Sequence, residues 1–260
     1  MPIFSAGLTV DVVRAESARF RHPLLLVHGL WTGSWIWSGI AAYLAHRGWE
    51  SWAPSFEGEA AGGSLDRVAQ LVELCRALPA PPVLLAHDAG VVIAAKLAAR
   101  VAAPAVIAVT PLLARLDGGN LGIFAHPQFW SARLLGRRVQ PPRGRPARLM
   151  LEGLAGEASR LRPDSGRFLR SFLDGTERLP QVVPCPGLLV CCPDDLLMPA
   201  IQGERLARRC DWSFDLHGTT GHFPMKAPGW EQLADRMHRW LVRTLGEDVL
   251  ALLDDEPDLE

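Results

Sequence analysis

Four short, continuous apolar runs constrain this chain most: "PLLLVHG" (23–29), "PPVLLAH" (81–87), "PAVIAVTP" (104–111) and "PGLLVCC" (186–192). A strand buried on both faces reads as an unbroken apolar run, whereas a half-exposed strand alternates. Between and around these runs lie stretches with helical spacing. "SWIWSGIAAYLAHRG" (34–48) carries Gly48 as a C-cap, and "SLDRVAQLVELCRAL" (64–78) opens on Ser64 as an N-cap. "AGVVIAAKLAAR" (89–100) follows the second apolar run directly. This alternation predicts βα units on a largely parallel sheet. "LTVDVVRA" (8–15) alternates like an early antiparallel strand, and "WESWAPSF" (49–56) supplies another strand. Towards the C-terminus we expect a helix from about Ile201, a strand in "WSFDLHG" (212–218) and a last helix from about Trp230.

The rhythm breaks over residues 112–180, where Gly, Pro and Arg clusters surround helical fragments such as "FWSARLLG" (129–136) and "GRFLRSFL" (166–173). We read this stretch as a small helical lid inserted into a core made of 1–111 and 181–260. A chain of 260 residues, 48 % of them apolar, suits one such α/β domain. The acidic tail "DDEPDLE" (254–260) is expected to fray.

Composition narrows the function. The net charge is −1 and no basic block is present, which argues against a nucleic-acid partner. Only two of the 27 cations are lysines, Lys96 and Lys226, so the basic residues are almost all arginine. Eleven arginines against five acids fall within 133–178, a field that could steer an anionic substrate or could be a solvated face. The five cysteines match no zinc or disulfide spacing, and Cys191 and Cys192 read as core. No leader-like segment opens the chain and no apolar run reaches membrane-spanning length. The expectation is a cytoplasmic monomer or homodimer acting on a small molecule, without metal, cofactor or membrane partner.

The chemistry concentrates at three points. "LLAHDAG" (84–90) is a strand running into a helix through a tight turn, with Asp88 at its apex between the small residues Ala86 and Gly90. Asp195 follows "LLVCCPD", with Pro199 four places on, and His222 lies in "GTTGHFP". A nucleophile, an acid and a histidine in that order, each just past a strand, resemble the α/β-hydrolase arrangement. "VHGLWTGSWIW" (27–37) resembles the oxyanion segment of that fold, and "APSFEGEAAGGS" (53–64) the loop after its next strand. The resemblance implies an oxyanion hole from the N–H groups of Leu30 and Ala89. It gives His28 and His87 packing roles, bracing the oxyanion loop and the elbow. His217 carries no motif.

An aspartate at the elbow resembles haloalkane dehalogenases and epoxide hydrolases. That resemblance implies an alkyl ester on Asp88, formed from a small apolar halide, epoxide or lactone, and hydrolysed by water activated at His222. The match is incomplete. The single tyrosine, Tyr43, falls in a core helix, Trp31 stands where epoxide hydrolases carry proline, and Ala89 stands where dehalogenases carry a halide-binding tryptophan. Trp31, His126 and Trp130 are candidate substrate contacts, with Arg133 as a further leaving-group donor. "HGLWTGSWIW" is closer to small esterases and hydroxynitrile-lyase relatives. A lyase or cyclase using Asp88 and His222 as an acid–base pair, or a ligand-binding pseudoenzyme, therefore stays open.

Overall fold

The computed structural model describes residues 2–56, 62–218 and 221–246. The tail 254–260, most of the loop after residue 56 and two residues of the "GTTG" turn lie outside the described residues. The chain opens with strands β1 (Pro2–Ser5), β2 (Leu8–Val13) and β3 (Leu24–Val27), then helix α1 (Ser38–His46) and β4 (Ser51–Ser55). Helix α2 (Ser64–Arg76), β5 (Val83–His87), α3 (Gly90–Val101) and β6 (Val106–Val109) follow. An insertion then carries three helices, α4 (Trp130–Leu135), α5 (Gly144–Met150) and α6 (Gly166–Leu173). The chain returns through β7 (Gly187–Cys191), α7 (Ala200–Cys210), β8 (Ser213–Leu216) and α8 (Trp230–Leu245).

The eight strands form one sheet in the order β1-β2-β4-β3-β5-β6-β7-β8. β1 and β2 pair antiparallel, β2 also runs antiparallel to β4, and all later pairs are parallel. Burial follows pairing: β3, β5, β6 and β7 are buried at every position, whereas β2 alternates strictly and offers one face to the core. The sequence pattern therefore anticipates the α/β-hydrolase fold, with its mostly parallel sheet flanked by helices.

Three local readings change. β1 carries no signal of its own; it forms because Ala6 and Gly7 take positive φ (52° and 73°) and turn it back onto β2. The helix expected over 34–48 begins as a 3₁₀ turn at Ser34–Trp37, which buries Trp35 and Trp37, before α1 proper. Gly48 closes it at φ +99°. Ser64 is the first helical residue rather than the cap, because its hydroxyl donates to Glu177 Oε2 (2.8 Å) and accepts from Lys96 Nζ (3.0 Å). Gly63 takes the cap position, its N–H held by Asp66 Oδ2 at 2.9 Å.

The insertion is tied to the sheet layer by buried carboxylates. Asp164 pairs with the fully buried Arg67 of α2, Glu177 with Lys96 of α3, and Asp117 with Arg178 and with Arg209 of α7, both at 3.0 Å. Among the described residues no helix is long and apolar enough to cross a membrane.

Candidate active site

The elbow is where local backbone geometry and chemistry meet. β5 ends at His87, α3 begins at Gly90, and Asp88 between them sits at φ +54°, a left-handed conformation that a non-glycine side chain pays about 1–2 kcal/mol to adopt. The turn needs small neighbours. A Cβ on Gly90 would lie 2.5 Å from the His28 carbonyl oxygen, and one on Gly29 would lie 2.1 Å from Asp88 Oδ2. The two glycines let the Leu30 N–H reach Asp88 Oδ2 at 2.6 Å. Among the described bonds to that oxygen no second backbone donor, from Ala89 or elsewhere, accompanies it.

The other Asp88 oxygen faces histidine. His222 donates from Nε2 to Asp88 Oδ1 at 3.3 Å, and its Nδ1 lies 3.0 and 3.1 Å from the two oxygens of Asp195. Asp195, just past β7, is fixed by the Leu197 N–H at 2.9 Å, whereas Asp194 is exposed. The His222 carbonyl accepts from His87 Nε2 and Thr110 Oγ1, both at 2.8 Å, so the loop that carries it is pinned to the ends of β5 and β6.

Electrostatics follow from this packing. Burial alone would strip His222 of its proton, but the charges and hydrogen bonds of Asp195 and Asp88 win, and its pKa rises to about 10. Burial pushes the Asp88 carboxyl up, yet His222 and the Leu30 N–H outweigh it and hold it below the usual range. The resting site is thus an imidazolium between two carboxylates. Burial holds His87 and His28 neutral, each with a pKa of about 4. His28 receives the Phe56 N–H at Nε2 (3.0 Å) and donates from Nδ1 to the Gly29 carbonyl (2.8 Å), bracing the turn that carries Leu30.

Leu30, Trp31, Asp88, Leu151, Leu197 and His222 are among the residues around a small, mostly apolar cavity of about 10 Å³. That is the room of one water. Leu151 also lines a half-open pocket of about 720 Å³ on the insertion, walled mainly by prolines, alanines and leucines of residues 140–163.

The structure brings Asp88, Asp195, His222, Leu30, Ala89 and Trp31 together. It places His126 and Trp130 elsewhere. α4 turns Ala132 inward and leaves Trp130 52 % exposed, with its indole N–H on the Ala125 carbonyl (3.0 Å). His126 is exposed and caps the turn at Gln128, and Arg133 is also on the surface. Sequence reasoning missed how Trp31 is held. Trp31 is at φ +61°; its N–H donates to Asp164 Oδ2 (3.2 Å), its carbonyl accepts from Arg162 N–H (2.9 Å), and its indole N–H donates to the Val139 carbonyl (3.3 Å). All three partners lie more than a hundred residues away, where no local motif could announce them.

Comparison with known proteins establishes the family and the fold. The sequence model described as "Alpha/beta hydrolase family" matches residues 24–236. The chain belongs to that family. Among solved structures, the monoacylglycerol lipase of Paleococcus ferrophilus superposes with a TM-score of 0.73 at 19 % identity, covering 91 % of this chain and 99 % of the lipase. A soluble variant of monoglyceride lipase from Saccharomyces cerevisiae gives 0.72 at 16 %, covering 94 % of each chain. The putative non-heme bromoperoxidase BpoC of Mycobacterium tuberculosis H37Rv gives 0.64 at 16 %, covering 91 % of this chain and 96 % of that one. At such identities these likenesses speak for the fold alone. No protein of curated function matches the chain.

Proposed function

We propose that this family member is a hydrolase that works through an alkyl ester on Asp88, taking a compact, largely apolar substrate with a leaving group on saturated carbon. The observation that carries the reading is how the Asp88 carboxylate is held. Oδ2 rests on the Leu30 N–H at 2.6 Å, where the carbonyl oxygen of an ester would sit, and Oδ1 faces His222 at 3.3 Å. In the first step Oδ1 forms a bond to the substrate carbon, and the bond from that carbon to the leaving group breaks. Asp88 loses its charge, so the hold on the Nε2 proton of His222 weakens and that proton departs with the leaving group. Neutral His222 then takes a proton from water while the water oxygen attacks Asp88 Cγ. The charge on Oδ2 falls on the Leu30 N–H, a donor worth about 3 kcal/mol in comparable sites. Collapse releases the alcohol, protonated from His222, and the last proton returns to the Asp88–His222 pair.

Substrate must enter past the insertion, which acts as a lid, because the space over Asp88 holds only one water. The half-open, mostly apolar pocket that shares Leu151 is the natural waiting place. Halides, epoxides and lactones share the required chemistry. His222→Ala removes the base, and the proton that an epoxide or lactone oxygen needs, but not the nucleophile, so incubation with a panel of alkyl halides, whose leaving group departs as an anion, should leave a covalent mass on Asp88. Absence of any adduct with a halide that the unaltered enzyme consumes defeats the two-step scheme.

A second reading draws on the charge state. His222 keeps its proton to about pH 10, so the resting pair is an acid beside a base, as a lyase or cyclase needs. Turnover by the unaltered enzyme that is lost in His222→Ala without any adduct on Asp88 would favour it.

A further inference from the structure

The arginine excess of the insertion is not used by this chemistry, and the structure shows where part of it converges. Arg138, Arg160 and Arg162 line one groove of about 560 Å³, together with Thr32, Ser34 and Ser55. Arg160 is spoken for: it pairs with Glu157 at 3.1 Å and lies over the Trp35 ring at 4.8 Å. Glu157 is shared with Lys226 at 3.0 Å. Arg162 uses Nη1 on the carbonyls of Ser159 (2.7 Å) and Leu161 (3.1 Å), which leaves its Nε–Nη2 edge unengaged among the described residues. Arg138 has no carboxylate within ion-pair distance among the described residues either, and Asp11, which accepts from Ser34 Oγ at 2.6 Å, does not line the groove.

Both arginines are exposed and line one concavity, so an anion entering it meets two cations that no carboxylate neutralises among the described residues. Guanidinium edges match the paired oxygens of a carboxylate or a phosphate. The hydroxyls of Thr32, Ser34 and Ser55 already donate, to the Gly29 carbonyl, Asp11 Oδ2 and Ser34 Oγ, so the arginines are left to hold the anion. We propose that this groove is a binding site for a carboxylate or phosphate group, held chiefly by Arg138 and Arg162. It lies directly behind the oxyanion turn, for Thr32–Trp35 continue the chain from Leu30 and Trp31, and the Arg162 N–H holds the Trp31 carbonyl at 2.9 Å. The site stands on these residues alone and does not depend on the chemistry assigned to Asp88.

Isothermal titration at low ionic strength tests it, with inorganic phosphate and octanoate as separate probes. Wild type should bind at least one of them below about 10 mM. The Arg138→Ala/Arg162→Ala variant should lose at least about tenfold in affinity, since charge-assisted contacts are the strong ones. Arg100→Ala/Arg205→Ala, with the same charge change at exposed positions elsewhere, should bind as wild type does. Tighter octanoate than phosphate identifies the ligand as the head of an apolar molecule, and the reverse order identifies a free anion; either supports the site. Binding of neither probe, or equal affinity in the groove variant, overturns it.

Discussion

Asp88→Asn isolates the charge coupling on which the proposed chemistry depends. The change is nearly isosteric, yet it removes one of the two carboxylates that hold the His222 proton, leaving Asp195 at 3.0 Å and burial opposed to it. An opposite charge within hydrogen-bond reach moves a pKa by about 1–3. The His222 value should therefore fall from about 10 by that amount. Ring ¹H–¹³C NMR of His222 across pH 5 to about 11 reads this directly. Stability should report the same pair. The folded-state pKa of His222 lies above its unfolded value of 6.5, so the stabilisation is complete below pH 6.5 and is lost as pH rises through about 10. At about 1.36 kcal/mol per pKa step the whole difference is at most about 5 kcal/mol. Wild type should lose denaturant resistance between these limits, and Asp88→Asn should lose it earlier and by less. A His222 midpoint near 6.5 in wild type, or one unmoved by the substitution, refutes the ion-pair description of the site.

Further outcomes follow from other residues. Asp88→Ser keeps Leu30, His222 and Asp195 in place and should gain measurable hydrolysis of p-nitrophenyl acetate; an inert, folded variant would count against an intact oxyanion site. Leu151→Ala should join the small cavity to the 720 Å³ pocket and speed adduct formation with bulkier alkylating probes, which stopped-flow mass analysis can follow. Asp164→Ala leaves Arg67 buried without its carboxylate and should cost about 3–5 kcal/mol in urea unfolding, with much of it restored by Arg67→Met/Asp164→Leu. Gly90→Ala forces a Cβ to 2.5 Å from the His28 carbonyl and should cost about 1–3 kcal/mol by the same assay.

The parallel core was readable because burial on both faces writes itself as unbroken apolar runs, and β3, β5, β6 and β7 each lie within one of those runs. Asp88 and His222 could be picked out because the elbow demands small neighbours and the loops flank strands. That His126 and Trp130 lie on the surface was not legible, because type and position in the insertion say nothing of which side of α4 faces inward; Ala132 and Phe129 decide that through packing. Ser64 looked like a cap by local rule, but Glu177, 113 residues later, claims its hydroxyl. Asp164 was invisible for the same reason, since its partners Trp31 and Arg67 are 133 and 97 residues away.

Trp31 carries a consequence for how the protein fails when heated. Its three hydrogen bonds reach residues 139, 162 and 164, so the peptide that presents the Leu30 N–H is fastened to the insertion, while Asp88 is fastened to the sheet. A tryptophan at φ +61° has reason to relax once those ties are cut. Loosening of residues 139–164 would then separate donor from acceptor while the eight strands stay paired. Inactivation and melting become two events, ordered in temperature. Residual activity after brief heating should decline several degrees below the circular-dichroism midpoint, and refolding of the insertion on cooling should restore it. Coincident curves would mean that the turn and the sheet melt as one unit.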